Sequence, residues 1–253
     1  MPAPRFYLPD LSSHSEEAPL PLEEAQHLTR VLRLKTGDNI RVFDGCGLER
    51  KATIKHTKDN AVVVSIGDAV SEKKDSNVII NIGVALLSGR KFDAVIRDAT
   101  MLGASVITPL LTIRSRSFKI SGDNNKLINR WQHIAISSTK QCGRSCLPVI
   151  SPPTQFSQYV ETQSSSAEQK LLLLEPNRDT LKDKTIRRQQ LTSLSSPRTA
   201  SIAIGPEGGW TDEEIRVAKN RHYIPITLGT NTLRSEAVPT IALSVLRFMW
   251  SDF

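Results

Sequence analysis

The segment Ile204-Gly205-Pro206-Glu207-Gly208-Gly209-Trp210-Thr211-Asp212-Glu213-Glu214 sets three glycines and a proline between an apolar run and an acidic one. Glycines at such a point let backbone N–H groups come close to a ligand, most familiarly a phosphate. Here Glu207 would repel a phosphate, and the segment holds no lysine to offset that carboxylate. The spacing matches neither G-x-G-x-x-G nor G-x-x-x-x-G-K-[ST]. A ligand with sugar hydroxyls, a base edge and a positive centre suits the turn better, and S-adenosylmethionine has all three without a phosphate. A second glycine loop, Leu228-Gly229-Thr230-Asn231-Thr232-Leu233-Arg234-Ser235-Glu236-Ala237, carries a cation and a carboxylate just ahead of an apolar run.

These loops need elements to hold them. Thr211 and Glu214 stand in the capping-box relation with Trp210 and Ile215 as a hydrophobic staple, so a helix starts at Asp212. Ala200 to Ile204 reads as the strand before it. From Val78 the chain alternates strand and helix: Val78 to Leu86 is a buried-strand pattern, Phe92, Val95, Ile96, Ala99 and Leu102 recur at helical spacing until Gly103, and Ser105 to Leu110 is a strand. Leu127, Ile128, Trp131, Ile134 and Ala135 mark another helix ending near Cys142-Gly143, and further strands are expected at 147–150, 171–174 and 224–228. Strands alternating with helices predict an α/β fold with a parallel sheet covered on both faces, and a glycine turn at its carboxyl edge. The last helix has one face of Val238, Ile241, Ala242, Val245 and Met249 and a second of Leu243, Leu246 and Trp250. Two apolar faces need two covers, supplied by a partner subunit or by the core of one chain.

The first seventy residues follow another rhythm. A helix over Glu23 to Leu32 precedes short strands around Ile40-Val42, Ala52-Ile54 and Ala61 to Ile66, with Asp44-Gly45-Cys46-Gly47 closing a hairpin, which suggests a compact barrel. Ser71 to Asn77 reads as the linker, dividing the chain into domains at 1–73 and 74–253. With 253 residues, 39% apolar and 23% charged, the composition is that of a globular protein. No apolar run approaches the roughly 18 needed to cross a bilayer, so a cytoplasmic protein with no membrane partner is expected. Cys46, Cys142 and Cys146 are an odd number without a second paired motif, which argues for free thiols and no metal.

The net charge of +7 is localised: residues 1–73 hold 10 Lys+Arg and 11 Asp+Glu, whereas residues 86–151 hold 10 and 3, a balance of +7. Its centre, Arg114-Ser115-Arg116-Ser117-Phe118-Lys119, interleaves cations with hydroxyls and an aromatic. A polyanionic partner and a plain solvated basic face both account for this stretch.

Gly205-Pro206-Glu207-Gly208-Gly209, the Leu228-Gly229 step and Leu233-Arg234-Ser235-Glu236 resemble the C-terminal motifs of the RsmE family of 16S rRNA (uracil-N3) methyltransferases. His27-Leu28-Thr29-Arg30-Val31-Leu32-Arg33, the Asp44-Gly45 hairpin and Gln141-Cys142-Gly143-Arg144 are similar to that family as well. The resemblance implies a PUA-like β-barrel followed by a SPOUT domain, a parallel sheet whose C-terminal chain forms a trefoil knot around S-adenosylmethionine, acting as a homodimer on small-subunit ribosomal RNA. A knot departs from the general rule that connections do not thread loops. Another RNA base or ribose as target, or a non-catalytic RNA-binding or ribosome-assembly role, are the rival readings.

The resemblance implies cofactor loops at Leu173-Leu174-Glu175-Pro176, at Ile204, Gly205, Pro206, Glu207, Gly208 and Gly209, and at Leu228, Gly229, Leu233, Ser235 and Ala237. N3 of uracil must lose a proton, so Arg234 is assigned to stabilise charge on a uracil oxygen and Glu236 to accept the proton or to fix Arg234. An Arg–Glu pair capping the last helix is the structural alternative. N3 lies on the pairing edge, so the target base is unpaired or flipped. Arg114, Arg116, Lys119, Arg130 and Arg144, with Arg30 and Arg33 from the barrel, are candidates to grip RNA phosphates. Three positions depart from the family pattern: Met101 and Lys140 stand where acids are usual, and Ser235 where threonine is.

Overall fold

In a strand, side chains alternate between faces, so Ala52, Ile54, Val62, Val64 and Ile66 can be buried together while Lys51, Thr53, Lys55 and Ser65 stay in water. The computed structural model describes residues 3–58, 61–70, 76–115, 124–163, 165–176 and 195–252, and elements are numbered among these. The chain divides into two compact units, Met1–Asp75 with Thr139–Leu147, and Ser76–Ser138 with Pro148–Phe253.

In the first unit, β1 (Arg5–Tyr7), β2 (Glu17–Pro19), β3 (Asn39–Phe43), β4 (Glu49–Lys58) and β5 (Ala61–Ala69) form one sheet in the order β1-β3-β4-β5-β2. The β1–β3 ladder is parallel and the others antiparallel. Among the described residues no ladder joins β1 to β2. The Asp44 carboxylate accepts from the N–H groups of Cys46 at 2.7 Å and Leu48 at 3.0 Å, which fixes the hairpin turn between β3 and β4. The expected helix is α1 (Leu22–Gln26) continued by a π-helical turn, His27–Val31, and its Ala25 and Leu28 pack with Phe6, Ile40, Val42, Ile54 and Val64. The segment 139–147, left with the second domain by the sequence reading, is held in this unit by Arg5. That guanidinium donates to both Glu49 oxygens (3.0 and 2.8 Å) and to the carbonyls of Thr139 (2.9 Å), Lys140 (3.3 Å) and Arg144 (2.6 Å).

The second unit contains β6 (Ile79–Ala85), α2 (Lys91–Met101), β7 (Val106–Leu111), α3 (Asn124–Cys142, its last turn counted with the first unit), β8 (Val149–Ile150), β9 (Thr154–Gln155), α4 (Phe156–Gln163), β10 (Gln169–Leu173), β11 (Thr199–Ile204), α5 (Asp212–Asn220), β12 (Ile224–Ile226) and α6 (Val238–Met249). Every ladder of its sheet is parallel, in the order β12-β10-β11-β6-β7-β8 with β9 beside β7. Ile80, Ile82, Ile202 and Val84 point into a cluster with residues of α2, α3 and α6, whereas Leu110, Leu172 and Ala203 point into another with α4 and α5. A sheet buried on both faces is what its near-continuous apolar strands require. β9 and α4 were not anticipated; Phe156, Tyr159 and Val160 of α4 supply much of the second cluster.

The two faces of α6 differ. Ala242, Leu243, Leu246 and Trp250 are buried in the core, while Val245 is 37% and Phe248 77% exposed. Of the two faces expected from the sequence, the one with Val245 is the less covered, although its Ala242 is buried. Arg247, itself buried, donates to the carbonyls of Leu102 and Gly103 at 2.6 Å each and pairs with Asp252, which accepts from the N–H of Asn77 at 2.5 Å and of Val78 at 3.2 Å. Gly103 sits at φ 85, and a Cβ there would lie 2.7 Å from the Arg247 guanidinium.

Candidate functional site

Because β12, β10 and β11 are parallel neighbours, the loops leaving their carboxyl ends emerge side by side on one edge of the sheet. Those loops enclose a cavity of about 310 Å³, a volume suited to a small cofactor. From β10 come Leu173, Leu174, Glu175 and Pro176; from β11 come Ile204, Gly205, Pro206, Glu207, Gly209 and Trp210; from β12 come Leu228, Leu233, Arg234, Ser235 and Glu236, with Asn231, Thr232 and Val238. Of the expected cofactor residues, Gly208, Gly229 and Ala237 lie outside the lining.

The glycine turn is built from local and distant contacts. The Gly209 N–H donates to the Pro206 carbonyl at 2.9 Å, and Gly209 takes φ 68, a left-handed conformation that only glycine adopts freely. A Cβ on Gly205 would meet the Trp210 indole at 2.9 Å. Trp210 cannot retreat readily, since its Nε1 donates to the Leu173 carbonyl at 2.9 Å and its ring lies 4.4 Å from Phe156. The Thr211–Glu214 capping box starts α5 as expected, and the buried Glu214 also accepts from the Ile113 N–H at 2.9 Å.

The charges differ from the sequence expectation in one respect. No lysine near Glu207 in sequence offsets it, but Lys91, from the first turn of α2, does so in space: its Nζ is 2.5 Å from the Glu207 carboxylate and 3.9 Å from that of Glu236. The hydrogen bond to Glu207 raises the Lys91 pKa above its ordinary value, so the ammonium stays charged. Three carboxylates, Glu175, Glu207 and Glu236, then face two cations, Lys91 and Arg234, leaving the lining one negative charge in excess. Arg234 and Glu236 form no ion pair with one another among the described residues; Ser235 Oγ lies 3.4 Å from the Glu236 carboxylate. The apolar side chains of Leu174, Ile204, Leu228 and Leu233 offer a wall for a flat ring, and the carboxylates offer acceptors for hydroxyl groups. Among the described residues no group of three or more His, Cys, Asp and Glu is placed to hold a metal, the three cysteines are free thiols, and no helix is long and apolar enough to cross a membrane.

Residues 74–247 match the model of an RNA methyltransferase domain and residues 20–67 that of an RNA methyltransferase PUA domain. A ribosomal RNA small subunit methyltransferase E from Synechocystis sp. is 34% identical over 230 residues, 90% of this chain and 72% of that protein. The chain belongs to the RsmE family. Among solved structures, a methyltransferase from Legionella pneumophila in complex with its bound cofactor SAM superposes with a TM-score of 0.88 at 29% identity, covering 98% of each chain. A family member from Neisseria gonorrhoeae, bound to S-adenosyl methionine, gives 0.87 at 26% identity and the same coverage.

Two of the three departures from the RsmE pattern have local explanations. Lys140 pairs with Glu24 at 2.7 Å and sits 5.1 Å from the centre of the Phe6 ring, both within the first unit, so its charge is matched by a carboxylate. Ser235 keeps a hydroxyl at the cavity. Met101 is the last residue of α2, half-buried, and nothing in its surroundings explains the lost acid.

The expected RNA contacts fare unevenly. Arg30 and Arg33 are exposed on the first unit, Arg33 at φ 55 just beyond the π-helical turn. Arg144 is half-buried in the same unit, and its carbonyl receives Arg5. Arg114 straps the glycine turn, donating to the carbonyls of Gly208 at 2.9 Å and Trp210 at 3.3 Å. Arg130 pairs with Asp93. Arg116 and Lys119 lie outside the described residues. Sequence reasoning missed Lys91, Asn231, Thr232 and Val238 as lining residues and gave Trp210 only a packing role.

Proposed function

We propose that this RsmE-family chain transfers a methyl group from S-adenosylmethionine to N3 of a uridine in 16S ribosomal RNA. The carrying observation is the cavity itself, with three strand-end loops, an apolar wall and one net negative charge. That balance suits a cationic nucleoside and disfavours a di- or triphosphate. Leu174, Ile204, Leu228 and Leu233 would flank the adenine, and Glu175 and the glycine-turn backbone would take its ribose. When bound, S-adenosylmethionine supplies an electrophilic methyl group on sulfur and leaves as a neutral thioether, so the leaving group needs no acid.

The residues of this chain then have three tasks. They align N3 with the methyl carbon, which is where most of the rate arises. Arg234, whose guanidinium makes no hydrogen bond among the described residues, stabilises the negative charge that builds on a uracil oxygen as the N3 proton leaves. Glu236 accepts that proton, its carboxylate facing Lys91 rather than Arg234. The PUA-like unit, residues 1–73 with the segment 139–147, supports recognition of RNA through Arg30 and Arg33, and Arg144 belongs to that unit. The position of β12 beside β10 supports a SPOUT knot in the last loops. The uncovered Val245 and Phe248 of α6 support a homodimer. The setting is the cytoplasm.

Incubation with labelled S-adenosylmethionine and unmodified small subunits, followed by mapping of the labelled nucleotide, tests the reading. A methylated uridine whose N3 proton is lost bears it out. Label on a ribose, on another base, or nowhere overturns it.

A further inference from the structure

The second unit has another concave surface, an open groove between the start of α2 and the outer face of α3. It is lined by Arg90 and Asp93 from the first element and by Lys126, Asn129, Arg130, His133, Ile134 and Ser137 from the second. Lys126, Arg130, His133 and Ser137 follow one another at spacings of four, three and four, one stripe along a helix whose opposite side buries Trp131 and Ala135 in the core. Water alone would be satisfied by a stripe of mixed sign, the usual pattern of a solvated helix face. The 19 residues of α3 contain no aspartate or glutamate. Among the described residues lining the groove the one acid, Asp93, pairs with Arg130. Apart from the apolar Ile134, the remaining lining groups can donate: a guanidinium, an ammonium, an amide, an imidazole and a hydroxyl.

Its position relates it to the reaction. Arg90 lines the groove and the adjacent residue Lys91 lines the cofactor cavity, so one backbone step joins the two. A flipped base entering the cavity leaves its own strand outside, with phosphates spaced a few ångströms apart.

We propose that this groove binds the phosphate backbone of the RNA strand next to the target nucleotide, with Arg90, Lys126 and Arg130 as the cationic grips and Asn129 and Ser137 as neutral donors. It rests on the proposed function for its partner and adds a site to it. Ile134 is the one apolar side chain lining the groove among the described residues, too little to hold a lipid chain, and the near lack of acids among them gives a protein with both charge signs little to pair with.

The test measures equilibrium binding of the full chain to a single-stranded RNA oligonucleotide spanning the methylated site, across a range of potassium chloride concentrations. For a single strand, removing one cation that neutralises a phosphate flattens the slope of log K against log salt by about 0.7. An Arg90→Ala/Lys126→Ala variant is expected to bind several-fold more weakly, with a slope shallower by about 1.4, and to bind S-adenosylmethionine as wild type. An Arg216→Ala/Lys219→Ala variant, which removes the same charge from α5, is expected to keep the wild-type slope. An unchanged slope in the groove variant, an equal loss in both variants, or displacement by poly-glutamate but not by RNA overturns the proposal. Failure of the methylation assay while the slope changes as expected counts against the reaction and leaves the groove standing.

Discussion

Lys91 Nζ and the Glu207 carboxylate meet at 2.5 Å across the mouth of the cofactor cavity, although 116 residues separate them in the chain. The pair converts a lip that carries a repelling acid into one that is nearly neutral. It also leaves the ammonium close enough to Glu236 to act on both carboxylates.

The first prediction concerns selectivity between the charged cofactor and its uncharged product, S-adenosylhomocysteine. Lys91→Met adds one uncompensated negative charge to the cavity, and Glu207→Gln removes one. Calorimetric titration should show the preference for the sulfonium compound rising in the first variant and falling in the second, each by roughly threefold, because both side chains are partly in water. Changes of the same sign in both variants contradict the charge argument.

A second prediction separates binding from chemistry. Arg234→Ala is expected to lower kcat by about 10²-fold with little change in the dissociation constant of S-adenosylmethionine, as for loss of a group acting on developing charge. Glu236→Gln, which cannot accept the N3 proton, is expected to lower kcat as well, with cofactor binding close to wild type. If Arg234→Ala weakens cofactor binding and leaves kcat intact, the arginine is a binding residue instead.

Backbone geometry supplies a third. Gly205→Ala pushes a methyl into the indole of Trp210, which is tied to Leu173 by a 2.9 Å hydrogen bond. A stability loss of about 1–3 kcal/mol in urea denaturation is expected, with weaker cofactor binding. Gly209→Ala meets no clash under 3.4 Å but keeps φ 68, and is expected to cost about 1–2 kcal/mol through conformation alone.

The buried ion pair at the end of α6 gives a fourth. Arg247 and Asp252 are 3% and 2% exposed, and Asp252 also receives two backbone N–H groups. Arg247→Met strands a buried carboxylate and should destabilise the second unit by about 3–5 kcal/mol. Asp252→Asn keeps one acceptor oxygen, enough for the N–H of Asn77 or of Val78 and not for both, while Arg247 retains the carbonyls of Leu102 and Gly103, so it should cost less.

The fifth is a titration. Burial raises all three phenols: Tyr7 above its ordinary value, Tyr223 to about 12, and Tyr159 well above its ordinary value. In the interior of the second unit the Ser201 hydroxyl lies 3.0 Å from the Tyr159 oxygen and 2.7 Å from that of Tyr223. A folded-state pKa above the unfolded one contributes stability that is complete below the unfolded value near 10 and lost as pH rises from there towards the folded value. Phenolate absorbance should therefore stay low at pH 10 and rise together with unfolding at higher pH. Release of a full phenolate equivalent near pH 10 in the folded protein would contradict this.

Some of these features are legible in the sequence and others are not. Thr211 and Glu214 announce the start of α5 because capping is settled within four residues, and Ile80, Ile82 and Val84 announce a buried strand because its apolar run is local. The glycine turns and Arg234-Ser235-Glu236 are visible for the same reason. Lys91 is hidden, since its side chain reaches the site from α2, in a stretch legible only as helical spacing. Arg114 looks like a phosphate grip by composition, yet its guanidinium bonds carbonyls 94 and 96 residues further on. Lys140 looks like an added surface charge, and only the fold supplies Glu24. β9 and α4 escape because Thr154-Gln155 is too short, and the apolar residues of α4 too few, to give a period.

The bond between Asp252 and the amides of Asn77 and Val78 spans 175 and 174 residues. The opening strand of the parallel sheet is thus completed by chain that leaves the ribosome long after it. An elongating polypeptide can assemble α2 and α3 early, but the edge where β6 begins stays ragged until α6 and Asp252 have emerged, so this unit should mature slowly and late.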